Sequence, residues 1–149
     1  MKKLLSFILI GGLLFTTATV QAQFRSIPGV VTDSFKVRYP AATAVSWEDK
    51  ISSFQATFTL NNEKYQAKYK TDGGWISSDK KIKQDVLPAA VKDGLSKSKY
   101  ADWKVGTITQ RYFPGDSVNY IIFVAKSDLN RKNLTFSTSG QLLKDNTTL

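Results

Sequence analysis

The chemistry open to this chain is bounded by two absences: its 149 residues contain no His and no Cys. An imidazole acid or base, a Ser-His or Cys-His nucleophile and a Cys/His zinc site are therefore excluded. Carboxylates remain as the acid–base groups, and Glu48-Asp49 and Asp72 are the ones to weigh. A catalytic carboxylate needs burial or a like-charged neighbour to bring its pKa to a working value. Glu48-Asp49 is expected just after a strand and Asp72 in a turn, where both read as solvated loop charges. Their spacing lacks the alternating oxygen ligands of a calcium loop. Gly73-Gly74 reads as a hairpin turn, not a phosphate-cradling loop. No catalytic residue, metal site or cofactor site is predicted, and the chain is not read as an enzyme.

Contact chemistry is better supplied. Gln55, Thr57 and Thr59 alternate along one predicted strand, and Lys64, Gln66, Lys68 and Lys70 along the next. With Trp75 past the following turn, these eight residues form the candidate binding face. Trp75 is included because an aromatic anchor buries a large area at low entropy cost.

The elements that position them follow from hydrophobic spacing. Phe54, Ala56, Phe58 and Leu60 alternate with the polar set at a period of two, and Tyr65, Ala67 and Tyr69 do so in the next strand. Asn61-Asn62 and Asp72-Gly73 mark the turns. Ahead of them, Val45 and Trp47 share a strand face. Ile27, Val31 and Phe35 recur every four residues, predicting a helix capped by Ser26, started by Pro28 and ended at Tyr39-Pro40. Trp75-Ile76-Ser77 starts a short strand, and Lys80, Lys81 and Lys83 are read as a connection.

The same order then repeats. A helix is predicted over about Asp85–Tyr100, carrying Leu87, Val91 and Leu95, with Gly94 weakening it by ~1 kcal/mol relative to Ala. A strand over Val105–Phe113 alternates Ile108, Gln110 and Tyr112 against Thr107, Thr109 and Arg111. Pro114-Gly115 makes a turn. Val118–Ala125 is apolar on both faces, as for a central strand or one that meets something on its outer face. Leu134 and Phe136 point inward on the next strand, Ser139-Gly140 turns into Leu142-Leu143, and the tail after Asp145 is expected to fray. The repeats, about 27–83 and 85–145, are each too small to bury a core alone. The predicted fold class is α+β: two tandem helix-plus-antiparallel-meander repeats forming one sheet, with the helices packed on one face.

Residues 1–22 read as a signal peptide. Lys2 and Lys3 precede an apolar run from Leu4 to Val20, and Val20-Gln21-Ala22 suits cleavage after Ala22. The domain is then 23–149, and its formal charge falls from +9 to +7 (19 basic against 12 acidic residues). Export makes nucleic acid an improbable partner for this basic surface and leaves acidic proteins, envelope polymers or lipid head groups. With no later apolar run of membrane length, no stable membrane insertion is expected after cleavage.

These residues also carry a likeness. A signal peptide, Phe35-x3-Tyr39-Pro40, Val45-x-Trp47, a Lys/Tyr strand ending in Asp72-Gly73-x-Trp75, Leu87-Pro88 and a second round ending at Gly140 together resemble the small exported PepSY-like proteins. The resemblance covers Ile27 to Leu143. It implies the β-lactamase-inhibitor-like fold, a periplasmic or secreted location, and a role in binding or inhibiting another protein. The disulfides of the true lactamase inhibitors are absent, so lactamase binding is not carried over. The expected function is an exported non-enzymatic binding module that inhibits or regulates an envelope or secreted protein through the uncovered sheet face. The alternative is a periplasmic binder of an anionic envelope polymer or lipid through its lysines. The sequence fixes no oligomeric state.

Overall fold

A computed structural model describes residues 25–148. The signal peptide and its cleavage after Ala22 lie outside them. α1 spans Gly29–Arg38 and buries Val31 and Phe35. Pro28, extended at φ −61° and ψ 143°, takes the cap position, and no side chain bonds the first turn. Ser26 is therefore not the cap. The helix stops where expected, with Tyr39 pushed out of the helical region ahead of Pro40.

Four strands follow: β1 (Thr43–Lys50), β2 (Ser53–Leu60), β3 (Glu63–Tyr69) and β4 (Trp75–Ile82). A 3₁₀ turn at Gln84–Val86 leads to α2 (Ala89–Ser96), then β5 (Lys104–Tyr112), β6 (Val118–Ala125), β7 (Arg131–Ser137) and β8 (Leu142–Thr147). All eight strands form one antiparallel sheet in chain order. The fold is the α+β double repeat expected, with α1 and β1–β4 in the first repeat and α2 and β5–β8 in the second.

Several boundaries differ from the sequence reading. The second helix is shorter because Leu87, just before Pro88, is held extended at ψ 138°. Glu48-Asp49 lies inside β1, where Arg25 forms an ion pair with Asp49. Lys80 and Lys81 are not in a linker but in β4, whose backbone pairs on both sides. Both tolerate strand geometry because their charged ends reach open ground. Lys80 meets Glu63 at 2.5 Å, and Lys81 is exposed. The tail is not frayed either: β8 runs to Thr147, and Thr148 N–H donates to the Arg131 carbonyl.

Both helices lie on one face of the sheet. The register places Tyr65, Lys80, Gln110, Tyr120 and Phe136 in a line on the same side. Tyr65 at one end packs in the α1 core, and Phe136 at the other in the α2 core. Among the described residues there are two cores. Val31, Phe35, Phe54, Phe58 and Tyr69 centre the first; Val91, Leu95, Ile122, Leu134 and Phe136 centre the second. β4 joins them, since Trp75 packs against the first and Ile82 against the second.

The repeats match down to single contacts. Tyr39, after α1, shares a hydrogen bond with Ser78 on β4. Tyr100, after α2, donates to Asp145 on β8. Ser78 and Asp145 are equivalent positions, opposite Ala67 and Leu134 in the two sheet halves. Among the described residues, no helix is long and apolar enough to cross a membrane.

Candidate functional site

The face opposite the helices is the candidate site. Its centre is a polar line in which Ser46, Thr57, Gln66, Asp79, Arg111, Asn119 and Ser137 succeed one another across β1 to β7. Asp79 and Arg111 form a bidentate pair, with Arg111 Nε and Nη2 each 2.6 Å from a carboxylate oxygen. The hydrogen bonds that Arg111 donates to Asp79 raise the guanidinium pKa above its ordinary value. A fork of this kind fixes both side chains and presents a rigid centre.

Two different surfaces flank that centre. On the first-repeat side, Thr57, Lys64, Gln66, Asp79, Lys81 and Thr109 border a hollow of about 210 Å³. On the second-repeat side, β6 turns Ile121 and Phe123 outward, both half-buried. Phe123 reaches that state by lying across Gly106 on β5, where a Cβ would meet its ring at 2.7 Å.

The structure brings most of the predicted residues together. Thr57, Thr59, Lys64, Gln66 and Lys68 lie on this face, between the inward positions of β2 and β3. Gln55 shares the face but is only 7% exposed. Its cross-strand neighbours Glu48 and Lys68, both long, flank it on either side, so it supports the surface more than it offers contacts. Lys70 is exposed just beyond the end of β3.

Trp75 is the correction. It packs against the α1 core, donates from Nε1 to Ser78 and lies beneath the Arg38 guanidinium at 3.6 Å. It therefore faces the helix side. A shift of register between Lys68 and Tyr69, at the Asp72-Gly73 hairpin, sets Trp75 opposite the inward Tyr69.

Sequence reasoning missed Asp79, Lys81, Thr109, Arg111, Ile121 and Phe123. Reading Lys80 and Lys81 as a linker hid the second half of β4 and with it Asp79. The two-sided apolarity of β6 was the available signal for Ile121 and Phe123.

Among the described residues, no three His, Cys, Asp or Glu side chains converge in a way that could hold a metal ion. Glu48, Asp49 and Asp72 do not form a pair of facing carboxylates. Asp49 is held by Arg25 below its usual carboxylate pKa, and Asp72 accepts from Gly74 N–H within its turn.

No protein-family model matches the chain, and no curated protein matches it in sequence. Solved structures do. The chain is similar to a DUF2874 family protein from Bacteroides ovatus ATCC 8483, with 26% identity and a TM-score of 0.76 over 83% of this chain and 89% of that one. A BLIP-like protein from Bacteroides fragilis NCTC 9343 is 23% identical with a TM-score of 0.76, over 85% and 89% of the two chains. A protein from Bacteroides eggerthii DSM 20697, described as a putative periplasmic protein, is 23% identical at 0.74 over 83% and 90%. The fold is thus that of DUF2874 and BLIP-like structures.

Proposed function

We propose that this protein is an exported, PepSY-like, non-enzymatic binding module that inhibits or regulates an envelope or secreted protein through the sheet face opposite its helices. The observation that carries the reading is the mixed surface of that face. A rigid Asp79–Arg111 centre lies between exposed lysines and the outward Ile121 and Phe123. Apolar anchors beside fixed polar groups are the usual composition of a protein contact. The fold it shares with a BLIP-like protein and with a periplasmic-type protein supports both the binding role and the location. Ile121→Asp should leave the fold intact and abolish capture of the partner from envelope extract. Capture undiminished by Ile121→Asp and by Arg111→Ala would overturn the assignment of this face.

A second reading rests on the lysines alone. Lys64, Lys68, Lys70 and Lys81 gather at the first-repeat side, and none of the four makes an ion pair among the described residues. An anionic envelope polymer or lipid surface would meet them through screened charge, so binding would fall steeply with salt. Binding of anionic vesicles or polymer that does not change between low and high salt would exclude it.

A further inference from the structure

The helix side holds a second surface, independent of the sheet face opposite. α1 and α2 cover the two cores separately and leave the middle of the sheet bare between them. The furrow contains a hollow of about 520 Å³, within the ~300–1,000 Å³ range of small-ligand sites. Tyr39, Tyr65, Trp75, Tyr112, Phe113 and Asp116 are among its lining residues. Tyr65, Tyr112 and Phe113 are half-buried and line the furrow.

Arg38 forms the wall on the α1 side. Its guanidinium stacks on Trp75 at 3.6 Å and also borders the neighbouring hollow of about 820 Å³ along α1. Stacking fixes the plane of the guanidinium and leaves the N–H groups in that plane able to donate. Among the described residues, no carboxylate pairs with it: Asp33, the acid on its own helix in the same hollow, pairs with Lys36. Lys80, on the same side of the sheet, pairs with Glu63.

We propose that this furrow binds a carboxylated sugar, such as one residue of a uronic-acid glycan strand. The aromatic rings offer platforms for the C–H faces of a sugar ring. The Arg38 fork matches a single carboxylate in bidentate geometry. Asp116, on the rim, is placed to accept from sugar hydroxyls. A lipid chain would need an enclosed apolar cavity, and this furrow is open and carries hydroxyls along its floor, where Tyr39 and Ser78 are bonded to one another at 2.6 Å.

Trigalacturonate, titrated calorimetrically into the mature protein and followed by the Trp75 indole N–H resonance, tests this. The expected result is saturable binding that shifts this resonance and weakens at least tenfold in Arg38→Gln, an exposed substitution that leaves the core untouched. Arg38→Lys should not restore it, since a point charge lacks the fork. Lys144→Ala, an exposed change on the opposite face, should bind as the unmodified protein does. Neutral maltotriose and a triglutamate peptide should each bind at least tenfold more weakly. Absence of binding at millimolar trigalacturonate, equal binding of triglutamate, or undiminished binding in Arg38→Gln would each overturn the proposal.

Discussion

Gly94 of α2 packs directly on the backbone of Gly140 in the β7–β8 turn, so close that a Cβ on Gly94 would collide with the Gly140 carbonyl. Gly140 itself is at φ +81°, and a Cβ there would strike the Ala90 carbonyl. The first repeat has the same contact in looser form, with Gly73 at φ +86° set against the Val30 carbonyl. In each half, a turn glycine lets the helix settle on the end of the meander. Replacing Gly94 by Ala would favour an isolated helix by ~1 kcal/mol. Here it should destabilise by ~1–3 kcal/mol, because neither backbone can yield cheaply. Urea unfolding should show the Gly94→Ala midpoint falling; a rise would mean the contact is not rigid.

The two cores should unfold together. β4 places Trp75 in one and Ile82 in the other, and five residue pairs bind β4 to β5. Phe58→Ala and Phe136→Ala each remove a fully buried ring and should cost ~3–5 kcal/mol. Each should move one cooperative transition to lower denaturant. Two transitions, each answering to only one substitution, would make the repeats independent units.

Acid should weaken the second repeat through Asp145. The hydrogen bond from Tyr100 and the ion pair with Lys99 hold this carboxyl below its usual range. A depressed native pKa adds stability that is complete above the unfolded value of ~3.9 and is lost as pH falls through the native one. Asp145→Asn should therefore lower stability at neutral pH and flatten the acid limb of the stability–pH curve. An acid limb identical in the two proteins would contradict this.

Asp79 and Arg111 should be coupled. The pair is bidentate and partly shielded, with side chains 19% and 31% exposed, so it should exceed the ~0–1 kcal/mol of an ordinary surface pair. A double-mutant cycle of Asp79→Ala and Arg111→Ala in urea should give an interaction energy of at least ~1 kcal/mol. Additive effects would show that the geometry adds nothing to stability.

The sheet was legible wherever one face was apolar and the other polar. Phe54, Ala56 and Phe58 against Gln55, Thr57 and Thr59 needed no tertiary knowledge, and Val118–Ala125, apolar on both faces, also came out with its observed ends as a continuous apolar run. The second half of β4 was not legible, because its long lysine stems from within a strand mimic a solvated linker. That one loss removed Asp79 from view and with it the centre of the candidate face. Trp75 was misplaced for a different reason. The register shift at the hairpin depends on how Gly73 meets α1, a contact between distant residues that spacing alone does not record. Gly94 read as a weak point in a helix because its partner, Gly140, is 46 positions away in the chain.

The central claim is that contacts are made by the face opposite the helices. Site-specific photocrosslinking in envelope extract of the producing cell tests it most directly, with the probe at Thr57, Thr109 or Ile121 on that face and at Val37 or Lys92 on the helix side. The account predicts one adduct of the same mass from the three sheet-face positions and none from the two helix positions. Adducts confined to the helix positions, or none from any of the five, would contradict it.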